Sequence, residues 1–143
     1  MKSRLRIRVR YAETDQMGVA HHGSYFVWME AARTELLREQ GISYRTLEEK
    51  GFFLPVYEAR CRYRSGVRYD DVFVIESWLS AIGGASITID YWMYIEGEKK
   101  GIIAEGQTQH AFTDKNGRVL RVPAFFKEMF RDGIHSATQK PVH

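Results

Sequence analysis

Apolar and basic residues alternate through "LRIRVRY" (Leu5 to Tyr11), which is the period of a short strand with two unlike faces. From Ser24 to Gln40 the period lengthens. Tyr25, Met29, Ala32 and Leu36 recur at three- and four-residue spacing, while Glu30, Thr34 and Arg38 fall on another face. That pattern predicts an amphipathic helix, with Ser24 as its N-cap and Gly41 as its C-terminal stop. At 1.5 Å per residue it is roughly 25 Å long, enough to cross a sheet. "SYRTLEEKG" adds a further helical turn or two ending at Gly51.

The remainder reads mostly as strand. "VYEARCRYR" sets Tyr57, Ala59, Cys61 and Tyr63 opposite Glu58, Arg60 and Arg62. "DVFVIESWLSAI" is apolar on both faces and suits a central strand. "SITIDYWMYI" alternates cleanly, and "IIAEGQTQHAF" alternates more weakly, with Gly106 allowing a close backbone approach. "IGGAS" and "IEGEKKG" separate these three, which predicts an antiparallel meander. "TDKNG" is a turn, Pro123 opens a short helix, and "GIHSATQKPVH" reads as a loose tail. The expected architecture is α+β: one domain over 1–132, with a long helix against a curved antiparallel sheet of five or six strands. One helix covers one face of such a sheet, so a second copy of the chain is expected to cover more of it.

Composition narrows the function classes. With 44% apolar and 27% charged residues, the 143-residue chain is that of a globular domain. No apolar run approaches the roughly 20 residues that span a bilayer, and "MKSRLRIRVR" lacks a signal-peptide core, so a reducing cytoplasm is expected for the lone Cys61. The net charge of +3 comes from 21 bases among 18 acids, too mixed for a dedicated nucleic-acid binder. The arginines are nonetheless patterned: Arg4, Arg6, Arg8 and Arg10 alternate, as do Arg60, Arg62 and Arg64. Each set shares a strand face, either as solvated charge that blocks edge-to-edge pairing or as a landing place for phosphate.

Chemistry concentrates in "YAETDQMGVAHHGSY", the passage from first strand to helix. Taken singly, Asp15 suits a turn, Gly18 a positive φ, and Tyr11 and Tyr25 a core; the His21–His22 pair lacks the third ligand a metal would want. Taken together they make a workable acyl-transfer site. A helix N-terminus offers unpaired N–H groups to a carbonyl oxygen, and a nearby carboxylate can attack that carbonyl or activate water against it.

The same stretch resembles the signature of the 4-hydroxybenzoyl-CoA thioesterase family of hotdog-fold proteins, Tyr-x-x-Thr-Asp-x-x-Gly-x-x-x-His-x-x-Tyr followed by the central helix. "LPVYEARCRYRSGVRYDDVFVIES" and "FTDKNGRVLRVP" are similar to family segments in the same order, and within the family the likeness is to bacterial acyl-CoA thioesterases associated with the Tol–Pal system. The resemblance implies a hotdog fold and hydrolysis of an acyl-CoA to a free acid and CoA, with no metal and no cofactor beyond the substrate's own CoA. It implies Asp15 as nucleophile or general base, and His22 at the helix start as carbonyl-polarising residue. Tyr11 has a supporting role, and Gly18 and Tyr25 lie beside the acyl-thioester path. Glu30 lies near where another hotdog branch carries its carboxylate. Arg60, Arg62 and Arg64 become candidates for CoA phosphates. The implied assembly is a homo-oligomer, a dimer or a dimer of dimers (homotetramer), with acyl-CoA as the small-molecule partner. Two other readings remain: an enoyl-thioester hydratase, and an acyl-CoA sensor or scaffold without turnover.

Overall fold

A computed structural model describes residues 2–97 and 101–131. Five strands form one antiparallel sheet: β1 (Lys2–Arg8), β2 (Val56–Tyr63), β3 (Val72–Ile82), β4 (Ser86–Tyr94) and β5 (Ile102–Ala111). Their order is β1-β3-β4-β5-β2, so the expected meander of three inner strands is present and two strands distant in sequence form the edges. The long helix α1 (Ser24–Glu39) lies on one face; α2 (Tyr44–Glu49) and α3 (Ala124–Met129) are single short turns of helix. This is the α+β hotdog arrangement.

The period-3.6 stripe is the packed one. Tyr25, Trp28, Met29, Ala32, Leu36 and Leu37 are all buried. They meet Phe73, Ile75 and Leu79 of β3 and Ile87, Ile89, Tyr91 and Met93 of β4 in a single core. The Met29 side chain reaches from the helix to β5, where a Cβ built on Gly106 would lie 2.1 Å from Met29 Cε. No side chain but hydrogen fits at 106 while Met29 stays in place. Gly41 and Gly51 end α1 and α2 in the left-handed region at φ +93° and +92°, as a C-terminal stop requires.

The other face is polar and reads as cross-strand rows. Register places Arg4, Glu76, Trp92, Glu105 and Arg62 side by side in one row, and Lys2, Trp78, Asp90, Gln107 and Arg60 in the next. Arg4 pairs with Glu76 and Glu96, Arg6 with Glu96, Arg8 with Asp70 and Arg10 with Glu13. The β1 arginines therefore serve the sheet, which is the solvated-charge alternative. Lys2 lies 4.9 Å above the Trp78 ring, so this face covers much of its own apolar surface.

Three local expectations need correction. β1 ends at Arg8, and Tyr11 lies beyond it in a 3-10 turn, Tyr11–Glu13. Tyr11 is no core anchor: it is 78% exposed and meets only the edge of Tyr69, 5.8 Å between ring centres. Ser24 is the first helical residue and not the cap; Gly23 occupies that position, and the Ser24 hydroxyl donates to the Glu13 carbonyl at 3.0 Å. The tail expected after residue 132 and part of "IEGEKKG" lie outside the described residues.

Candidate active site

Asp15 stands in a tight loop that its own backbone closes. Its N–H donates to the Val19 carbonyl at 2.8 Å, and its carbonyl accepts from the Gly18 N–H at 3.0 Å. Thr14 pairs with Ala20 across the loop, and Val19 with Arg68 beside it. One carboxylate oxygen, Oδ1, accepts from the Met17 N–H at 2.8 Å and more weakly from the Val19 N–H at 3.4 Å. These bonds orient the carboxylate and leave Oδ2 open. Gly18 turns the chain at φ +79°, where a Cβ would also press within 3.2 Å of the Arg68 guanidinium.

Seven residues on stands His22, just before the chain enters α1. The His21 N–H donates to the Glu13 carbonyl at 2.7 Å and the Ser24 N–H to the His21 carbonyl at 2.9 Å. The Gly23 N–H donates to Nδ1 of His21 at 3.0 Å. Among the described residues the His22 and Tyr25 N–H groups find no acceptor. The start of the helix thus retains free donors beside the positive end of its dipole. The His22 carbonyl is also held: it accepts from the Tyr63 hydroxyl at 2.8 Å.

One cavity of about 360 Å³ collects these groups, lined by Asp15, Ala20, His22, Tyr25, Tyr63, Arg64, Ser65 and Gly66. Tyr25 is buried and stands edge-on to Tyr63, with ring centres 4.8 Å apart. Burial, with Cys61 alongside, pushes the Tyr63 hydroxyl up to about 12, so at neutral pH it keeps the proton it donates. Burial likewise raises the Cys61 thiol to about 11 against the opposing bond with Tyr63; Cys61 is a protonated thiol off the cavity wall and no activated nucleophile.

Asp15, His22 and Tyr25 thus share one cavity. Arg64 joins them, although its guanidinium also binds Glu105 at 2.9 Å. Arg60 and Arg62 line a different cavity, of about 340 Å³, together with Trp78, Asp90 and Trp92 of the sheet's outer face. Arg60 bonds Gln107 there at 3.0 Å. Gly18 supports the Asp15 turn from outside the cavity wall, and Tyr11 is not on it. Glu30 is exposed on α1, roughly 12 Å along the helix from His22 at 1.5 Å per residue. Tyr63 and Glu13 carry no local signal of their part in the site, because each acts across 41 or 15 residues of sequence.

A profile of the thioesterase-like superfamily matches residues 9–130. The chain belongs to that superfamily. A Bacillus subtilis protein, YneP, provisionally named an acyl-CoA thioesterase, is 34% identical over 138 residues, covering 96% of either chain. YbgC of Escherichia coli, named an acyl-CoA thioester hydrolase, is 33% identical over 81 residues, 57% of this chain and 60% of YbgC. The crystal structure of a hypothetical protein, TT1821 from Thermus thermophilus, superposes with a TM-score of 0.86 at 34% identity, over 95% of this chain and all 100% of that one. The matched stretch of the superfamily profile contains the whole Asp15 cavity.

Proposed function

We propose that this member of the thioesterase-like superfamily is an acyl-CoA thioesterase whose chemistry runs on Asp15 and the amide of His22. The observation that carries the reading is that His22, whose N–H has no acceptor among the described residues, lines the same cavity as Asp15, while the amides of His21 and Gly23 on either side are engaged. A thioester carbonyl accepting from that N–H gains the most as negative charge develops on its oxygen. Asp15 has two routes from there. As a base it takes a proton from water while the hydroxyl oxygen bonds to the carbonyl carbon; the C–S bond then breaks and the thiolate leaves with the electron pair and is protonated. As a nucleophile it forms the C–O bond of a mixed anhydride, expels the thiolate, and is freed when water cleaves the anhydride. The provisional naming of YneP as an acyl-CoA thioesterase supports the CoA ester as substrate.

Arg64 is the arginine best placed for a phosphate of a CoA entering this cavity; Arg60 and Arg62 would serve one passing over the opposite side of β2. The free edge of β2 carries exposed Val56, Tyr57 and Tyr63, and we assign it to a second copy of the chain, in a dimer or a dimer of dimers. A cytoplasmic location and kinship with the Tol–Pal-associated enzymes belong to the same proposal; the latter rests on the likeness of the Tyr11–Tyr25 stretch alone. Thiol release from a panel of aromatic and aliphatic acyl-CoAs tests the reading. Steady release that vanishes in Asp15→Asn is the expected result. Tight binding without release would make the protein an acyl-CoA sensor, and consumption of an enoyl thioester without release would make it a hydratase.

A further inference from the structure

Two residues before Asp15 lies a second carboxylate with the opposite environment. Glu13 is 8% exposed. Its Oε2 accepts from the Trp28 indole N–H at 2.9 Å and from the Arg10 guanidinium at 3.2 Å, and its Oε1 accepts from the Arg10 N–H at 2.8 Å. Its backbone carbonyl takes two more bonds, from the His21 N–H at 2.7 Å and the Ser24 hydroxyl at 3.0 Å. Burial opposes ionisation, yet the bonds from Arg10 and Trp28 outweigh it and hold the carboxyl below its ordinary range. It is a buried, charged group already committed to three donors.

The five bonds have one geometric result. They join the residue before the 3-10 turn (Arg10), the last residues before the helix (His21), and the start of the helix (Ser24, Trp28). Everything between residues 13 and 21 becomes a ring closed at its base, and Asp15 stands on that ring. The same bonds fix the chain on either side of residue 22. The Glu13 carbonyl takes the amide of residue 21 and the His21 imidazole that of residue 23, and the amide between them has no acceptor among the described residues. A shift of the Glu13 carbonyl would move the carboxylate and the oxyanion donor relative to each other, and transition-state stabilisation falls steeply with such displacement.

We infer that Glu13, clamped by Trp28, is a positioning residue for the thioester reaction: it sets the distance between the Asp15 carboxylate and the His22 amide without touching substrate. The inference rests on the reading of Asp15 and His22 given above. Glu13→Gln is the direct test, because one amide oxygen replaces two acceptors and the amide nitrogen faces a donor. Trp28→Phe removes the clamp from the other side and serves also if the first variant fails to fold. With an acyl-CoA substrate, and at temperatures well below each variant's Tm, each single change is expected to lower kcat tenfold or more. KM should stay within about threefold. The double variant is expected to lose little beyond the larger single loss, since both changes break one bond. A merely structural role would lower Tm and leave kcat of the folded fraction unchanged. That result in whichever variants fold, or a rise in KM with kcat intact, overturns the inference. Asp15→Asn run alongside separates the two levels. If it retains activity, the catalytic reading itself falls and the positioning role with it. If it is inactive while Glu13→Gln and Trp28→Phe keep full kcat, only the positioning role is wrong.

Discussion

Helix α1 touches two polar clusters that share residue types and differ in everything else. At its N-terminus stand Asp15, His22 and Tyr63, around an open cavity, with an uncommitted carboxylate oxygen and uncommitted amides. Under its middle stand His110, Thr108, Tyr91, Arg33 and Tyr44. There the imidazole is fully buried and its nitrogens bond the Leu54 carbonyl at 3.1 Å and Thr108 Oγ1 at 2.8 Å. Tyr91 adds a 2.6 Å bond to the same Thr108 oxygen, and Arg33 bonds both Tyr91 and Tyr44. The Leu54 carbonyl can only accept, so His110 carries its proton on Nδ1, Thr108 donates to Nε2, Tyr91 donates to Thr108, and Arg33 donates to Tyr91. Every group in that chain has one possible role. The contrast teaches that residue type does not mark a site; leftover hydrogen-bonding capacity does. A satisfied histidine holds the fold, and an unsatisfied helix start is available to a substrate.

The largest expected effect tests the open cluster. Asp15→Asn should lower kcat about 10²–10⁴-fold, the usual weight of a general base. It should leave Tm almost unchanged, because the amide oxygen can still accept from Met17 and Val19. A loss of stability equal to the loss of activity would erase the contrast.

The closed cluster should respond to pH in stability. Burial lowers His110 to about 4, against the opposing bond that its Nδ1–H donates to the Leu54 carbonyl. The folded state stays neutral where the unfolded chain, near 6.5, already binds a proton. Stability is therefore complete above about pH 6.5 and declines as pH falls toward 4, by about 3 kcal/mol in all. Melting curves between pH 7.5 and 4.5 should show this decline, and His110→Gln should flatten it.

Gly18→Val comes next, combining a left-handed φ of +79° with the crowding of Arg68. About 1–3 kcal/mol of strain is expected, relieved by a loop shift that lowers kcat roughly tenfold for each 1.4 kcal/mol misapplied at the transition state. Circular dichroism with kinetics distinguishes this from unfolding. His22→Ala should be the mildest, less than about tenfold in kcat, because the amide that polarises the carbonyl is backbone and survives. A loss as large as that of Asp15→Asn would give the imidazole itself a chemical role.

Much of this was legible before the fold was seen. The three-and-four spacing of Tyr25, Met29, Ala32 and Leu36 identified the buried stripe, and the glycines at 18, 41, 51 and 117 all adopt positive φ. Asp15, His22 and Tyr25 converge because they are neighbours along the chain. What escaped were contacts without local signature. Tyr63 reaches His22 only because β2 closes the far edge of the sheet beside β5, an order that alternation along a strand cannot encode. Tyr11 looked like an anchor by residue type, but β1 stops at Arg8 and turns it outward. The two arginine series look alike as patterns and mix partners in the fold: Arg4, Arg6 and Arg64 find Glu76, Glu96 and Glu105, whereas Arg60 bonds a glutamine.

The contact of Met29 with Gly106 makes two sequence positions share one volume. A methyl group at 106 would occupy the space of the Met29 thioether end, so Gly106→Ala alone must push that side chain out of its present position in the core. A shorter residue at 29 would make room for it. In a library randomised at both positions, the survivors should trade bulk between the two sites, and a large residue at both should be missing. The two positions are then inherited as a pair, each setting the bulk that the other can carry.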